Sequence, residues 1–193
     1  MPSSPTTKGG VTVNIVVLGR GNVGGGLARL WTDAGHDVTT LGRDGGDASH
    51  ADALVVAVPG GAIADALSKV TGADGKPTVD ATNSLTGPNE GFPSLAAEVK
   101  AIMGGPTIKA FNTNFAVLYD QIAAQRVRPH RVFAADADAR ELAEQLIGDA
   151  GFDPLYAGDL DNASTLEAHI EFTMMLARGE VGPYFYRFAT SDL

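Results

Sequence analysis

The sequence predicts an α/β fold: a doubly wound, mainly parallel sheet with a small helical extension at its C-terminus. Three observations carry this expectation. A β-branched apolar run, Val11 to Leu18, opens directly into a glycine-rich turn and then a helical pattern. Six further short apolar runs alternate with helical stretches along the chain. A long closing stretch, Leu160 to Arg178, carries Leu166, Ile170, Thr173, Met174 and Ala177 at helical spacing.

The first strand, rich in β-branched apolar residues, reads as a buried parallel strand. It runs into Gly19-Arg20-Gly21-Asn22-Val23-Gly24, a G-x-G-x-x-G turn, and Leu27, Leu30 and Trp31 then mark one side of a helix. Each glycine has a physical reason. Gly19 permits the tight turn, Gly21 lets a pyrophosphate approach the backbone, and Gly24 allows close helix–strand packing. Free N–H groups at the helix start, backed by the helix dipole, attract an anion. The pattern reads as a dinucleotide site.

His36 to Leu41 is the second strand, and its end would meet the adenosine ribose. NAD sites place an acid there, about twenty residues past the glycines, whereas NADP sites place an Arg for the 2′-phosphate. The strand ends Leu41-Gly42-Arg43-Asp44, so Arg43 favours NADP, with Thr40 and Gly42 available to line the pocket. The alternative leaves Arg43 solvated and gives Asp44 the ribose. Residues 44–52 are too short for a crossover helix.

Ala53 to Val58 is the third and central strand. Ala57, Val58 and Pro59 would run along the cofactor, and Gly60-Gly61 would permit a close approach to it. A helix over 62–70 follows. Thr78 to Asp80 is a short fourth strand leading to Ala81-Thr82-Asn83-Ser84, small polar groups at the edge where open α/β sheets bind ligands. Ser94 caps a helix over 95–103. Thr107 to Ala110 leads to Phe111-Asn112-Thr113-Asn114 at the same edge. Phe111 can serve the core or the site, and Asn114 suits the cap of a helix over 115–125. Arg126 to Arg131 is a basic cluster that reads as a solvated turn. A strand over 132–135, a helix over 139–148 and a strand over 152–156 complete the alternation. Four aromatics in Gly182 to Phe188 are too apolar to hang free, and a cofactor cleft or a second chain would cover them.

The chain has 193 residues, 44% of them hydrophobic, which suits one domain or one domain with an appendage. The expected division is a disordered polar tail at 1–10, a dinucleotide-binding domain at 11–158, and a C-terminal helix with an aromatic tail at 159–193. A net charge of −9, from 23 acidic against 14 basic residues, argues against nucleic acid. No run is long and apolar enough for a membrane span, and the first ten residues lack a signal-peptide centre, so a cytoplasmic location is expected. The absence of cysteine excludes disulfides and thiolate chemistry. No metal is expected.

In order and spacing, GRGNVGGGLA, LVVAVP, VDATNS, KAFNT and GFDPLYAGDLDNASTLE resemble the NADPH-dependent reductases of the deazaflavin coenzyme F420. The related cytosolic domain of the six-transmembrane ferric reductases shares the pattern. The resemblance runs from Val13 to Arg178. It implies a Rossmann-like domain, a homodimer, and direct hydride transfer between NADP(H) and a deazaflavin or flavin-like acceptor. It places Arg20, Asn22 and Val23 in the phosphate loop, Arg43 at the 2′-phosphate, Val58 and Pro59 along the cofactor, and Asn83 and Asn112 near the nicotinamide. There are departures: Gly42 stands where the family often has Ser, Ser84 where it has Pro, and Asp136-Ala137-Asp138 where it has Gly-Asp-Asp.

Such a transfer needs positioning more than an acid or base. Accordingly no catalytic residue is expected. His36, His50, His130 and His169 are scattered: His36 reads as structural, His169 as a helix-face residue, and His130 as a possible holder of an anionic acceptor tail. Glu167 and Glu171 share a helix face without ligand partners. Two other readings remain open: an NADP-dependent reductase of a small imine or carbonyl compound, and a non-enzymatic NADP sensor.

Overall fold

The computed structural model describes residues 11–189; the expected tail over 1–10 lies outside them. Strand β1 (Asn14–Leu18) leads to helix α1 (Asn22–Asp33), β2 (Asp37–Leu41), a two-residue β3 (Gly46–Asp47) and β4 (Ala53–Val56). Helix α2 (Ile63–Leu67), β5 (Val70–Thr71), β6 (Thr78–Asp80), α3 (Leu95–Met103) and β7 (Thr107–Lys109) follow. The chain ends with β8 (His130–Ala135), α4 (Arg140–Asp149), β9 (Asp153–Tyr156) and α5 (Ala163–Arg178).

Seven strands form one sheet in the order β2-β1-β4-β6-β7-β8-β9. The first five are mutually parallel, as the α/β reading requires. Residues alternate along β1 and β4 between two cores. Ile15, Val17, Ala53 and Val55 pack under α1 and α4, while Val16, Leu18, Leu54 and Val56 pack under α2 and α3. The period of two that buries both faces explains the unbroken apolar runs. Trp31 of α1 ties the first layer together by donating its indole N–H to the Leu146 carbonyl at 2.8 Å. Ser94 caps α3, accepting from Ala97 N at 3.0 Å, and Gly104 ends it at φ +68°.

Leu18, Leu41, Val56, Asp80 and Lys109 stand in register across the sheet. The residues after them therefore emerge side by side along one edge. The strand order reverses between β2 and β4 on either side of β1, which places the ligand crevice of an open α/β sheet beyond β1 and β4.

Four expectations are corrected. The helix expected over 115–125 is a 3₁₀ turn, Ala116–Gln121. The chain therefore never crosses back over the sheet, and β8 begins at the edge where β7 ended and runs antiparallel to it. The helix expected over 62–70 ends at Leu67, and Val70–Thr71 pairs with Gly46–Asp47 in a small ribbon. The basic turn 126–131 is solvated only in part, because Arg131 belongs to β8 and is fully buried. The aromatic tail docks on its own chain: His130 N donates to the Tyr186 carbonyl at 3.0 Å, and Arg187 pairs with Asp153 at 2.6 Å. Phe188 N donates to His130 Nδ1 at 3.0 Å, so that ring holds the tail through one nitrogen. His36 is structural, accepting from Val13 N and contacting Asp149.

Candidate functional site

Beyond the aligned strand ends the glycine loop packs in two different ways. A Cβ on Gly19 would stand 2.2 Å from the Ala57 carbonyl oxygen, and one on Gly24 2.1 Å from the Gly19 carbonyl oxygen. Both glycines are needed to bring β1, α1 and the end of β4 together. Gly21 meets nothing within 4 Å, so its backbone is open to an approaching group. Gly60 is tight against this protein's own chain, with a Cβ position 2.9 Å from the Asn83 carbonyl oxygen. Its smallness thus serves packing, whereas Gly61 meets nothing within 4 Å.

Two cavities adjoin at Gly21, Ala57 and Val58. The first, of about 700 Å³, opens between the glycine loop, the end of β2 and the start of α2. Gly19, Arg20 and Gly21 form one wall, Gly42 and Arg43 the second, and Ala57, Val58 and Pro59 the floor. Arg20 is held by its Nη2 donating to the Thr40 carbonyl at 2.8 Å, so Thr40 contributes through its backbone. Arg43 is exposed, in a turn closed by Gly45 N donating to the Gly42 carbonyl at 3.2 Å. Asp44 is exposed and lines neither cavity. Sequence reasoning missed Asp65 and Lys69, which also line this groove. Their i,i+4 spacing at the end of a helix was a readable sign of a pair.

The second cavity, of about 430 Å³, lies over β6, β7 and α5. Asn22 and Val23 reach it from the glycine loop, and Asn83, Phe111 and Asn112 from the strand ends. Ile170, Thr173 and Met174 close it from α5. None of its lining residues is ionisable. The Asn83 side-chain amide donates to the Asn112 carbonyl. Asn112 Nδ2 in turn donates to the Leu166 carbonyl at 2.7 Å and meets Asn83 Oδ1 at 3.4 Å. Those acceptors fix the Asn112 amide so that its buried Oδ1 has no partner among the described residues. The Asn114 amide and Thr173 Oγ1 are likewise closed into this wall without partners among the described residues. Asn114 therefore does not cap the following turn, where Phe115 takes the cap position without a side-chain bond.

Phe111 is both core and wall. It is buried, meets Trp31 edge-on at 5.6 Å, and adopts φ +61°, a left-handed conformation that only it shows among the described non-glycine residues. Such strain persists only where the surroundings hold it. Behind it lies Arg131, whose guanidinium carbon is 5.1 Å from the Phe111 ring centre and 4.8 Å from that of Phe152. Among the described residues Arg131 has no carboxylate partner, and Nη1 donates to Thr113 Oγ1 at 3.3 Å. Burial pushes the guanidinium below its usual range, opposed by the Tyr186 and Tyr119 phenols. The aromatic tail borders the same wall, with Tyr186 OH 2.9 Å from Thr113 Oγ1 and Tyr184 against Phe115.

Beneath the cavity Lys109 is wholly buried between Asp80 at 2.8 Å and Glu167 at 3.0 Å. Glu167 also accepts from Leu95 N at 2.9 Å and Ala96 N at 3.2 Å, at the start of α3. It is thus a buried structural acid. Among the described residues no group of three or more His, Asp or Glu side chains could hold a metal, and no helix is long and apolar enough to cross a membrane.

No family model matches the sequence, and no curated protein is similar to it. Solved structures are similar. One from Arthrobacter sp. FB24, provisionally named an F420-dependent NADP reductase, aligns over 93% of this chain and 99% of its own at 22% identity, with a TM-score of 0.75. A hypothetical protein of Sinorhizobium meliloti aligns over 81% of this chain and 90% of its own, at 24% identity and a TM-score of 0.65. A reductive aminase of Aspergillus terreus, in complex with NADPH and ethyl levulinate, aligns over 88% of this chain at 16% identity and a TM-score of 0.63. This chain spans 62% of the aminase's length. At these identities the likeness establishes the Rossmann-like fold that the chain shares with them.

Proposed function

We propose that the chain is an NADP(H)-dependent oxidoreductase that exchanges a hydride with a deazaflavin such as coenzyme F420, or with a flavin. The observation that carries this reading is the contrast between two adjoining cavities, one cationic and one without any ionisable lining residue. Arg20 and Arg43 suit a 2′-phosphate, and open backbone at Gly21 suits a pyrophosphate. The residues present therefore fit NADP(H). When bound, this cofactor supplies a hydride, which leaves nicotinamide C4 with its two electrons and bonds to the acceptor ring.

The protein's own contribution is placement. Val23, Val58 and Met174 give the reacting end apolar walls that exclude water, while Asn83, Asn112 and Phe111 set the far side. Reduction of an imine or ketone places a proton on nitrogen or oxygen as well, and a nearby acid assists it. This cavity offers none. A conjugated ring that spreads the added charge itself needs no such group, which favours the deazaflavin or flavin. The exposed Phe172, Met175 and Val181, on α5 and just beyond it, offer an apolar strip for the homodimer that the resemblance implies. A cytoplasmic site of action agrees with an NADP(H) requirement.

The test is a spectrophotometric assay of purified protein with NADPH and oxidised deazaflavin. Bleaching of the visible band, faster with NADPH than NADH, is expected. Oxidation of NADPH only by a cyclic imine or ketone would replace the acceptor, and tight NADPH binding without transfer to any acceptor would replace the enzyme with a sensor.

A further inference from the structure

Resting on the NADP(H) reading, we propose that the Asp65–Lys69 pair on the α2 side of the groove determines the preference for a 2′-phosphate, acting with Arg20 and Arg43 as a cradle of three cations. The local structure explains why these groups converge. Arg20 Nη1 lies 3.4 Å from where a Cβ on Gly42 would stand, so its guanidinium occupies the space beside the β2 end that a side chain at position 42 would fill. A hydroxyl missing at position 42 is thereby replaced by a charged donor reaching over from the glycine loop.

The third cation is held in place by the small ribbon of β3 and β5. Gly46 N donates to the Lys69 carbonyl at 3.0 Å, and Ala48 N to the Thr71 carbonyl at 2.8 Å. Gly45, at φ +69°, passes so close that a Cβ there would stand 2.0 Å from the Lys69 carbonyl oxygen. These contacts fasten the turn carrying Arg43 to the backbone of Lys69, so the two side chains line one groove as a unit. Lys69 Nζ rests 2.7 Å from Asp65 Oδ2, with side chains 40% and 72% exposed.

An ion pair this exposed is weak and easily exchanged. A phosphate dianion is the stronger partner and draws Lys69 from Asp65. With no 2′-phosphate the pair stays closed and Lys69 gives the ribose nothing. Asp65, a carboxylate in the same groove, opposes the phosphate by Coulomb repulsion. The pair thus contributes with both signs, and its two members affect selectivity in opposite directions.

The test measures binding of adenosine 2′,5′-bisphosphate and of 5′-AMP by calorimetry, which isolates this half of the site from turnover. The wild-type protein is expected to prefer the bisphosphate. Lys69→Ala should cut that preference roughly tenfold, and Asp65→Asn should raise it about two- to fivefold. Lys69→Glu should abolish it. Far-UV circular dichroism and thermal unfolding that match the wild type confirm that all three variants are folded. Added salt should erode the wild-type preference more than that of Lys69→Ala. A selective wild type whose preference survives Lys69→Ala overturns this inference and leaves the NADP(H) reading standing. A wild type that binds both ligands equally overturns both.

Discussion

A methyl group on Gly24 would sit 2.1 Å from the Gly19 carbonyl oxygen and 3.1 Å from the Ala57 side chain, both fixed by the sheet. Neither neighbour can yield without moving β1 or β4. Gly24→Ala is therefore expected to cost about 1–3 kcal/mol of stability, as an overpacked core does, and to abolish nucleotide binding. Gly25→Ala, whose nearest contact would be 3.6 Å, is the matched control and should be nearly neutral in thermal unfolding and NADPH titration. Such glycines were legible because a strand, a fixed spacing and a helix surround them. Arg131 and Asn114 were not. A basic residue in an RVRPHR run reads as solvated, and only the antiparallel return of β8 buries it against Phe111 and Phe152. The left-handed Phe111 left no sign either, because its backbone is held by tertiary contacts.

Among the elements, α5 does more than cover the sheet. Its Glu167 reaches Lys109 in β7 and the free amides that open α3, joining three elements through one carboxylate. Asp80 takes the other side of the lysine. Removing the lysine leaves two buried carboxylates without their counter-charge. Lys109→Met is expected to lower unfolding stability by about 3–5 kcal/mol in urea titration. Replacing all three by apolar residues of similar volume should recover much of that loss, since the penalty lies in the unpaired charge. Periodicity placed α3 and its Ser94 cap correctly, and the strands to within a few residues. It failed at residues 115–125, where apolar spacing suited a helix but the chain makes only a 3₁₀ turn.

Across the whole molecule, the C-terminal segment binds the far edge of the sheet to the wall of the neutral cavity. Its hold includes a pH-sensitive point. Burial, and then the Arg187 charge, lower the His130 pKa below 6.5, and its Nδ1 accepts the Phe188 amide. The folded state thus favours the neutral ring. This contribution is present above the unfolded value of about 6.5 and is lost as pH falls through the lower folded value. Limited proteolysis should release the aromatic segment faster at pH 5 than at pH 7.5, and an Arg187→Ala variant should release it faster at both. Equal rates at the two pH values would show that His130 does not hold it. The sequence signalled that these aromatics need cover, yet could not say that their own chain supplies it, since the receiving edge exists only once β8 has turned back.

That turn back also decides where the molecule can vary. The chain leaves β7 and enters β8 on the same side of the sheet, so the twenty residues between them (110–129) need not span its thickness. Residues added at its exposed stretch, 123–128, would lengthen a surface excursion and disturb no strand register, whereas Phe111, Tyr119 and Ile122 of the same segment are core. The connections between parallel strands have no such freedom, because each must carry the chain from one edge back to the other. Variation in what this scaffold holds has a route through that stretch, while the glycine-loop side is constrained by the close contacts of Gly19 and Gly24.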